Sequence, residues 1–216
     1  TEQVIHSDDP DSFNTVVVNG VPEKQPIFSG QHIDQVMPQV GTCIHEVFEF
    51  IGSGPVNGQS RLVHRSDAWR SRLQQLGVCS DSIDEAVAIV VDAVKTISTS
   101  SIADWLFSSE HQAIKNEWPL SYQSLSNDVK HFIIDRSFID ADKTRWIIDY
   151  KTAQPGGSAI DEWLAMQVEQ YTEQLHNYHR AVGNFDRQFN TDVVNTQCAL
   201  YLPLVDQLLL VDSPSP

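Results

Sequence analysis

Apolar residues recur along this chain in two periods, and the change of period divides it. From Gly41 to Phe107 the steps are three and four, as on helices that bury one face. Gly41-Thr42 opens a helix, CIHEVFEFI, that ends near Gly52 and buries Ile44, Val47, Phe48 and Ile51. His45 and Glu49 share another of its faces at i,i+4. The segment Gly54–Ser60 reads as a loop, and helices follow at Asp67–Gln75, Ser82–Ile97 and Ile102–Phe107. Ser82 with Glu85 makes a capping-box start for the stripe Ile83, Val87, Val90, Val94, Ile97. The period then shortens to that of strands: Ala113–Gln123, His131–Ile139 and Trp146–Lys151, the last two joined by the polar turn Asp140–Lys143. Gln154-Pro155-Gly156-Gly157 breaks the pattern. A long helix, about Ile160–Ala181, then buries Leu164, Val168, Tyr171, Leu175, Tyr178 and Val182, before two strands, Thr196–Leu202 and Gln207–Val211. This order predicts an α/β fold with a mixed central β-sheet flanked by helices. Residues 1–40, with the acidic run DDPD and several prolines, read as an extended leader or linker. The folded domain spans 41–212 and a tail follows at 213–216.

The hairpin holds the first candidate chemistry. A reversal centred on Asp142 puts Asp135 opposite Asp149. Directly paired residues of an antiparallel ladder have Cα atoms about 4.5–5.5 Å apart and side chains on one face. Two like charges so placed repel unless a cation lies between them. Lys151, two residues after Asp149, shares its face. Two carboxylates and a lysine suit a hard divalent cation. The same alternation also describes a half-solvated hairpin, with Asp149 and Lys151 as a surface pair.

Composition narrows the class. The chain has 216 residues, 41% of them hydrophobic, with a mean hydropathy of −0.26, which fits one globular domain with a real core. No apolar run approaches the roughly 18 residues a membrane helix needs, so no membrane is expected. It opens on Thr1 without a signal-peptide pattern, as expected of a domain excised from a longer protein. Cys43, Cys79 and Cys198 are scattered without a CxxC pair, which argues against zinc or a disulfide framework and suits a reducing cytoplasm. The net charge of −15 is the unexpected feature, and Lys24 is the one basic residue before Arg61. Affinity for nucleic acid comes largely from Lys and Arg neutralising phosphates. Such a chain binds DNA poorly by itself: either another part of a larger protein supplies the path, or the chain works in high salt.

Three stretches in order carry a resemblance: GTCIHEVFE (Gly41–Glu49), IIDR…IIDYKT (Ile133–Thr152) and YTEQLHNY (Tyr171–Tyr178). Together they resemble the nuclease domain of RecB and AddA helicase–nucleases, a branch of the PD-(D/E)XK superfamily with a restriction-endonuclease-like core. That branch shows a GTxxH helix, an aspartate strand, a DxKT strand and a QxxxY helix. The resemblance runs from about Gly41 to Val211. It implies metal ligands at His45, Asp135 and Asp149, a catalytic lysine at Lys151, and the QxxxY pair at Gln174 and Tyr178. Arg136 matches the arginine that often follows the first aspartate, and Glu117 is similar to an acidic residue on the preceding strand. Phe132 stands where the family often has glycine. The cysteines that hold an iron–sulfur cluster in AddB and the CRISPR-associated relatives are missing, so Mg²⁺ or Mn²⁺ and no iron–sulfur cluster is the implied cofactor set.

What the resemblance implies is a metal-dependent deoxyribonuclease, an exonuclease by preference, acting on a DNA single strand or duplex end during double-strand break processing. Its expected partners are helicase domains of the same parent protein and a partner subunit. Imidazole suits Mn²⁺ better than Mg²⁺, so His45 would loosen metal preference. The alternatives are a non-catalytic nuclease-like module binding DNA or protein, and a stand-alone restriction-like endonuclease. The former would have lost ligands that this chain keeps; the latter would carry a basic surface that it lacks. Tyr171 is expected in the core, His131 near Asp135 or merely exposed, and His176 and His179 on a solvated helix face.

Overall fold

The computed structural model describes residues 33–53, 65–123, 129–156 and 159–214. Five helices and five strands follow one another in it. They are α1 (Ile33–Ser53), α2 (Ser66–Gln75), α3 (Ser80–Ile97), α4 (Ser101–Leu106), β1 (Gln112–Gln123), β2 (Val129–Ile139), β3 (Thr144–Tyr150), α5 (Ile160–Gln188), β4 (Asn195–Leu202) and β5 (Gln207–Val211). The strands form one five-stranded sheet in sequence order. Neighbours are antiparallel except β3 and β4, which run parallel because α5 carries the chain back across the sheet between them. The fold is therefore α/β with a mixed sheet flanked by helices.

Two apolar layers hold it together. On one face, the stripes of α1, α3 and α4 pack with Phe138, Ile148, Tyr150, Ala199 and Tyr201. On the other, α5 lays Trp163, Leu164, Leu175, Tyr178 and Val182 against Trp118, Ile134, Ile147, Leu200 and Val211. Odd and even positions of β3 thus serve opposite layers, as a doubly covered strand requires. The β2–β3 turn is fixed by Asp140, whose Oδ1 accepts from Asp142 N (3.0 Å) and Thr144 N (2.9 Å) and whose Oδ2 accepts from Trp146 Nε1 (2.7 Å). Lys143 takes the left-handed conformation, φ 60°, that closes the reversal.

Several expected boundaries move. The first helix begins at Ile33, not at Gly41, so the last part of the expected leader is helical; residues 1–32 lie outside the described residues, as does the expected loop Gly54–Ser60. Pro38 lies inside this helix and forfeits one backbone hydrogen bond. Val36 and Val40 nevertheless extend the buried stripe, and burial outweighs the break. Gly41 starts nothing. It lets the helix approach the end of β3, where a Cβ would stand 2.9 Å from Thr152 Oγ1. In α3 the capping box does not form: the helix starts at Ser80 with Cys79 as N-cap and no side-chain cap. The long helix continues past Ala181 to Gln188 because its last two turns find partners in the sheet. Phe185 packs edge-on against Trp118, 4.9 Å between centroids, and Asp186 accepts from Arg145 Nε (3.1 Å) and Nη2 (2.7 Å).

Candidate functional site

The β2–β3 register is the expected one, with Arg136 opposite Ile148, Phe138 opposite Trp146 and Ile139 opposite Arg145. Pairing stops at Arg136, one position short of the aspartates. There Asp135 Oδ2 accepts a 2.6 Å hydrogen bond from Tyr150 N, which in a continued ladder would bond to a β2 carbonyl. The like-charge pair appears on the other side instead. In β1 and β2, Asn116 pairs with Arg136 and Trp118 with Ile134, which leaves Glu117 opposite Asp135.

Facing inverts at these two residues. Trp118 and Ile134 pack into the α5 layer. Asn116 and Arg136 turn the other way: Arg136 Nη1 donates to Asn116 Oδ1 (2.7 Å), and both side chains crowd the position where Gly52 of α1 lacks a Cβ. Glu117 has φ 44°, a left-handed conformation that costs a non-glycine residue roughly 1 kcal/mol or more. The result is that Glu117, Asp135 and His45 of α1 bring ligand atoms within 4.8 Å of one another.

The three groups suit a cation. Two carboxylate oxygens and an imidazole nitrogen match a hard or borderline divalent ion. His45 Nε2 lies 3.2 Å from Tyr150 O, a carbonyl that can only accept, so in the neutral ring Nε2 carries the proton and Nδ1 presents its lone pair. Nδ1 is 3.7 Å from Asp135 Oδ1. Burial lowers the His45 pKa and keeps the ring neutral. Burial, then the charge of Asp149, pushes Asp135 up to about 7, against the pull of the Tyr150 N–H and Lys151. Glu117 is also raised, by burial first and then by Asp135. Acceptors facing one another without a proton or cation repel, and that repulsion is what a bound ion would relieve.

Asp149 belongs to a second group that meets the first. It is buried, and Lys151 Nζ lies 2.7 Å from its Oδ2 as an ion pair off the hydrogen-bonding direction, leaving that oxygen without an aligned partner. Gln174 Nε2 donates to Asp149 Oδ1 (3.1 Å) and to the Tyr178 hydroxyl oxygen (2.6 Å). Burial raises the Tyr178 pKa to about 12, so the phenol is neutral. Phe132 packs edge-on against Tyr178, 5.5 Å between centroids. Both groups border an open cavity of about 710 Å³ between α1 and α5, lined among others by Thr42, His45, Glu49, Glu117, Lys151 and Tyr171.

The site residues expected from sequence gather near the end of β3, in two groups. Glu117, noted in the sequence without a role, stands in the cluster with His45 and Asp135, while Asp149 is held by Lys151 and Gln174. Tyr171 is half-buried: its ring packs against the α5-side core, and it also lines the cavity, with Lys151 Nζ 4.4 Å from its ring centroid. Arg136 is fully buried, donates through Nε to Leu106 O (2.9 Å) and lies over Phe107, so it braces α4 rather than the cavity. His131 is exposed beside Ser121 Oγ. His176 and His179 are half-buried rather than solvated, His176 Nε2 lying 2.8 Å from Asp212 O. Cys43 and Cys198 are buried, Cys79 is exposed, and all three are unpaired. No helix among the described residues is long and apolar enough to cross a membrane. The sequence matches no family model and no curated protein.

Proposed function

We propose that this chain is a metal-dependent deoxyribonuclease of the PD-(D/E)XK type, similar to the nuclease domain of RecB and AddA helicase–nucleases and active in double-strand break processing. The observation that carries the proposal is the convergence of His45, Glu117 and Asp135 on one point beside the Asp149–Lys151 pair. Those three residues would hold Mg²⁺ or Mn²⁺, and Asp149 Oδ2, buried without a hydrogen-bond partner, would lend a further oxygen. Such an ion, once bound, lowers the pKa of a coordinated water and polarises a phosphate oxygen.

The chain's own groups do the rest. Lys151 brings an ammonium into the cavity, where it donates to a phosphate oxygen or orients the attacking water and offsets developing negative charge. Asp149 keeps that ammonium in place, and Gln174 keeps Asp149 in place. Of the eleven other described lysines and arginines, five are already engaged: Arg70 with Asp84, Arg72 with Glu46, Arg145 with Asp186, Lys143 with Asp192, and Arg136 in the interior. Together with the net charge of −15, this supports a DNA path built by helicase domains or a partner subunit, with this chain supplying the cutting site.

The test is cleavage of end-labelled linear single- and double-stranded DNA with EDTA, Mg²⁺ or Mn²⁺, by wild type and by Lys151→Ala. Metal-dependent cutting that the variant lacks supports the proposal, and end-blocked substrates then separate exonuclease from endonuclease. Metal binding without cutting of any DNA would leave the non-catalytic module as the better reading.

A further inference from the structure

Tyr171 stands one turn before Gln174 on α5; Gln174 bonds Asp149, and Tyr171 faces Lys151, the ion-pair partner of Asp149. Its ring packs on the α5-side core, its hydroxyl oxygen accepts from Gln170 Nε2 (3.2 Å), and its face looks at Lys151 Nζ from 4.4 Å. We infer that Tyr171 is a positioning residue for Lys151, acting through its ring face rather than its hydroxyl. The inference rests on the nuclease reading in one respect, that the amine so held acts on a phosphate.

The geometry gives the reason. An ammonium on a four-carbon stem is mobile, and Asp149 alone anchors only one side of it. The cavity also presents Glu117, a carboxylate that competes with Asp149 for the amine. An aromatic face attracts a cation without taking its proton. Carboxylate and ring together restrain Nζ at the cavity wall. Gln174, one turn on, fixes the carboxylate of the same pair, so one face of α5 sets both members.

Reductive methylation with ¹³C-formaldehyde keeps the lysine charge and gives a resonance for Lys151, assigned by its loss in Lys151→Arg. In the metal-free wild type that resonance is displaced upfield by the ring. Tyr171→Phe keeps the displacement, and Tyr171→Leu abolishes it with the other lysine resonances unchanged. In unmethylated protein with Mn²⁺, Tyr171→Phe retains kcat. Tyr171→Leu lowers it about threefold to thirtyfold at unchanged KM, as expected from the strength of such contacts. An undisplaced Lys151 resonance in the wild type overturns the inference, and so does full kcat in Tyr171→Leu. Wild type that cuts no DNA sinks the nuclease reading and any role of Tyr171 in turnover, while the displaced resonance still decides the contact.

Discussion

Asp135→Asn isolates the charge at the centre of the cluster. The amide keeps the shape of the carboxyl, and its oxygen can still accept from Tyr150 N, so the hydrogen bond that ends the ladder survives. What disappears is a buried negative charge facing Glu117 and Asp149. In the folded, metal-free protein the Asp135 carboxyl titrates at about 7 instead of 3.8. The folded state therefore binds this proton more tightly than the unfolded chain, and stability falls as pH rises between those two values. Glu117 and Asp149, both raised, act in the same direction; His45, lowered, adds stability as pH rises and works against them. Each tenfold change in proton affinity is about 1.4 kcal/mol, so between pH 5 and pH 8 the wild type loses on the order of 3 kcal/mol that the variant keeps. At a few degrees of Tm per kcal/mol, the variant in EDTA should melt roughly 5–10 °C above wild type at pH 8, with the gap closing toward pH 5. Mn²⁺ should raise the wild-type Tm and leave that of the variant nearly unmoved. Calorimetric melts at the two pH values, with EDTA and with Mn²⁺, measure all four numbers. A variant less stable than wild type at pH 8 in EDTA, or equally stabilised by Mn²⁺, would refute the reasoning.

Three further outcomes follow from the same geometry. His45→Ala should weaken Mn²⁺ binding in a calorimetric titration and lower cleavage, with partial recovery at high Mn²⁺; unchanged activity at limiting metal would return His45 to an ordinary helix residue. Gln174→Leu leaves Asp149 Oδ1 buried without a donor and should cost about 1–3 kcal/mol in a denaturant melt, besides freeing the Asp149–Lys151 pair. Lys151→Ala should cut single-turnover cleavage about a hundredfold or more while barely changing DNA affinity, which at moderate salt should lie near 10⁻⁴–10⁻⁶ M for the isolated chain. Nanomolar binding at physiological salt would show that the chain carries its own DNA path.

Much of the fold was legible because local chemistry decided it. Asp140 caps the hairpin turn through three hydrogen bonds, and a fixed turn fixes the register. All five expected apolar positions of α3 are buried, and Ala86, Ile89 and Ala93 widen the stripe beside them. What escaped was decided at a distance. Pro38 is a local stop signal, overridden because Val36 and Val40 reach the same core as Ile44. Gly183 and Asn184 weaken the last turns of α5, which persist because Arg145 and Trp118, far off in sequence, hold Asp186 and Phe185.

The site divides along the same line. Asp135, Asp149 and Lys151 could be brought together from the hairpin pattern alone, whereas His45, Gln174 and Tyr178 entered through the resemblance that their motifs carry. Glu117 could not be given its place, for two physical reasons. Its partner depends on the β1–β2 register, which the intervening residues do not announce as Asp140 announces the next turn. Its direction depends on a left-handed backbone that nothing in NEWPL requires. The same inversion explains why Asp135 and Asp149 are not paired as ladder neighbours. Once Asp135 turns with Glu117 toward α1, its carboxylate meets Tyr150 N and takes the bond that would have extended the ladder. Strict alternation would have set Asp135 directly across from Asp149. The chain instead sets Asp135 beside Glu117 and His45, and keeps Asp149 for the lysine. Strain at one residue thereby gathers Glu117 and Asp135 at His45 and leaves Asp149 with Lys151 and Gln174.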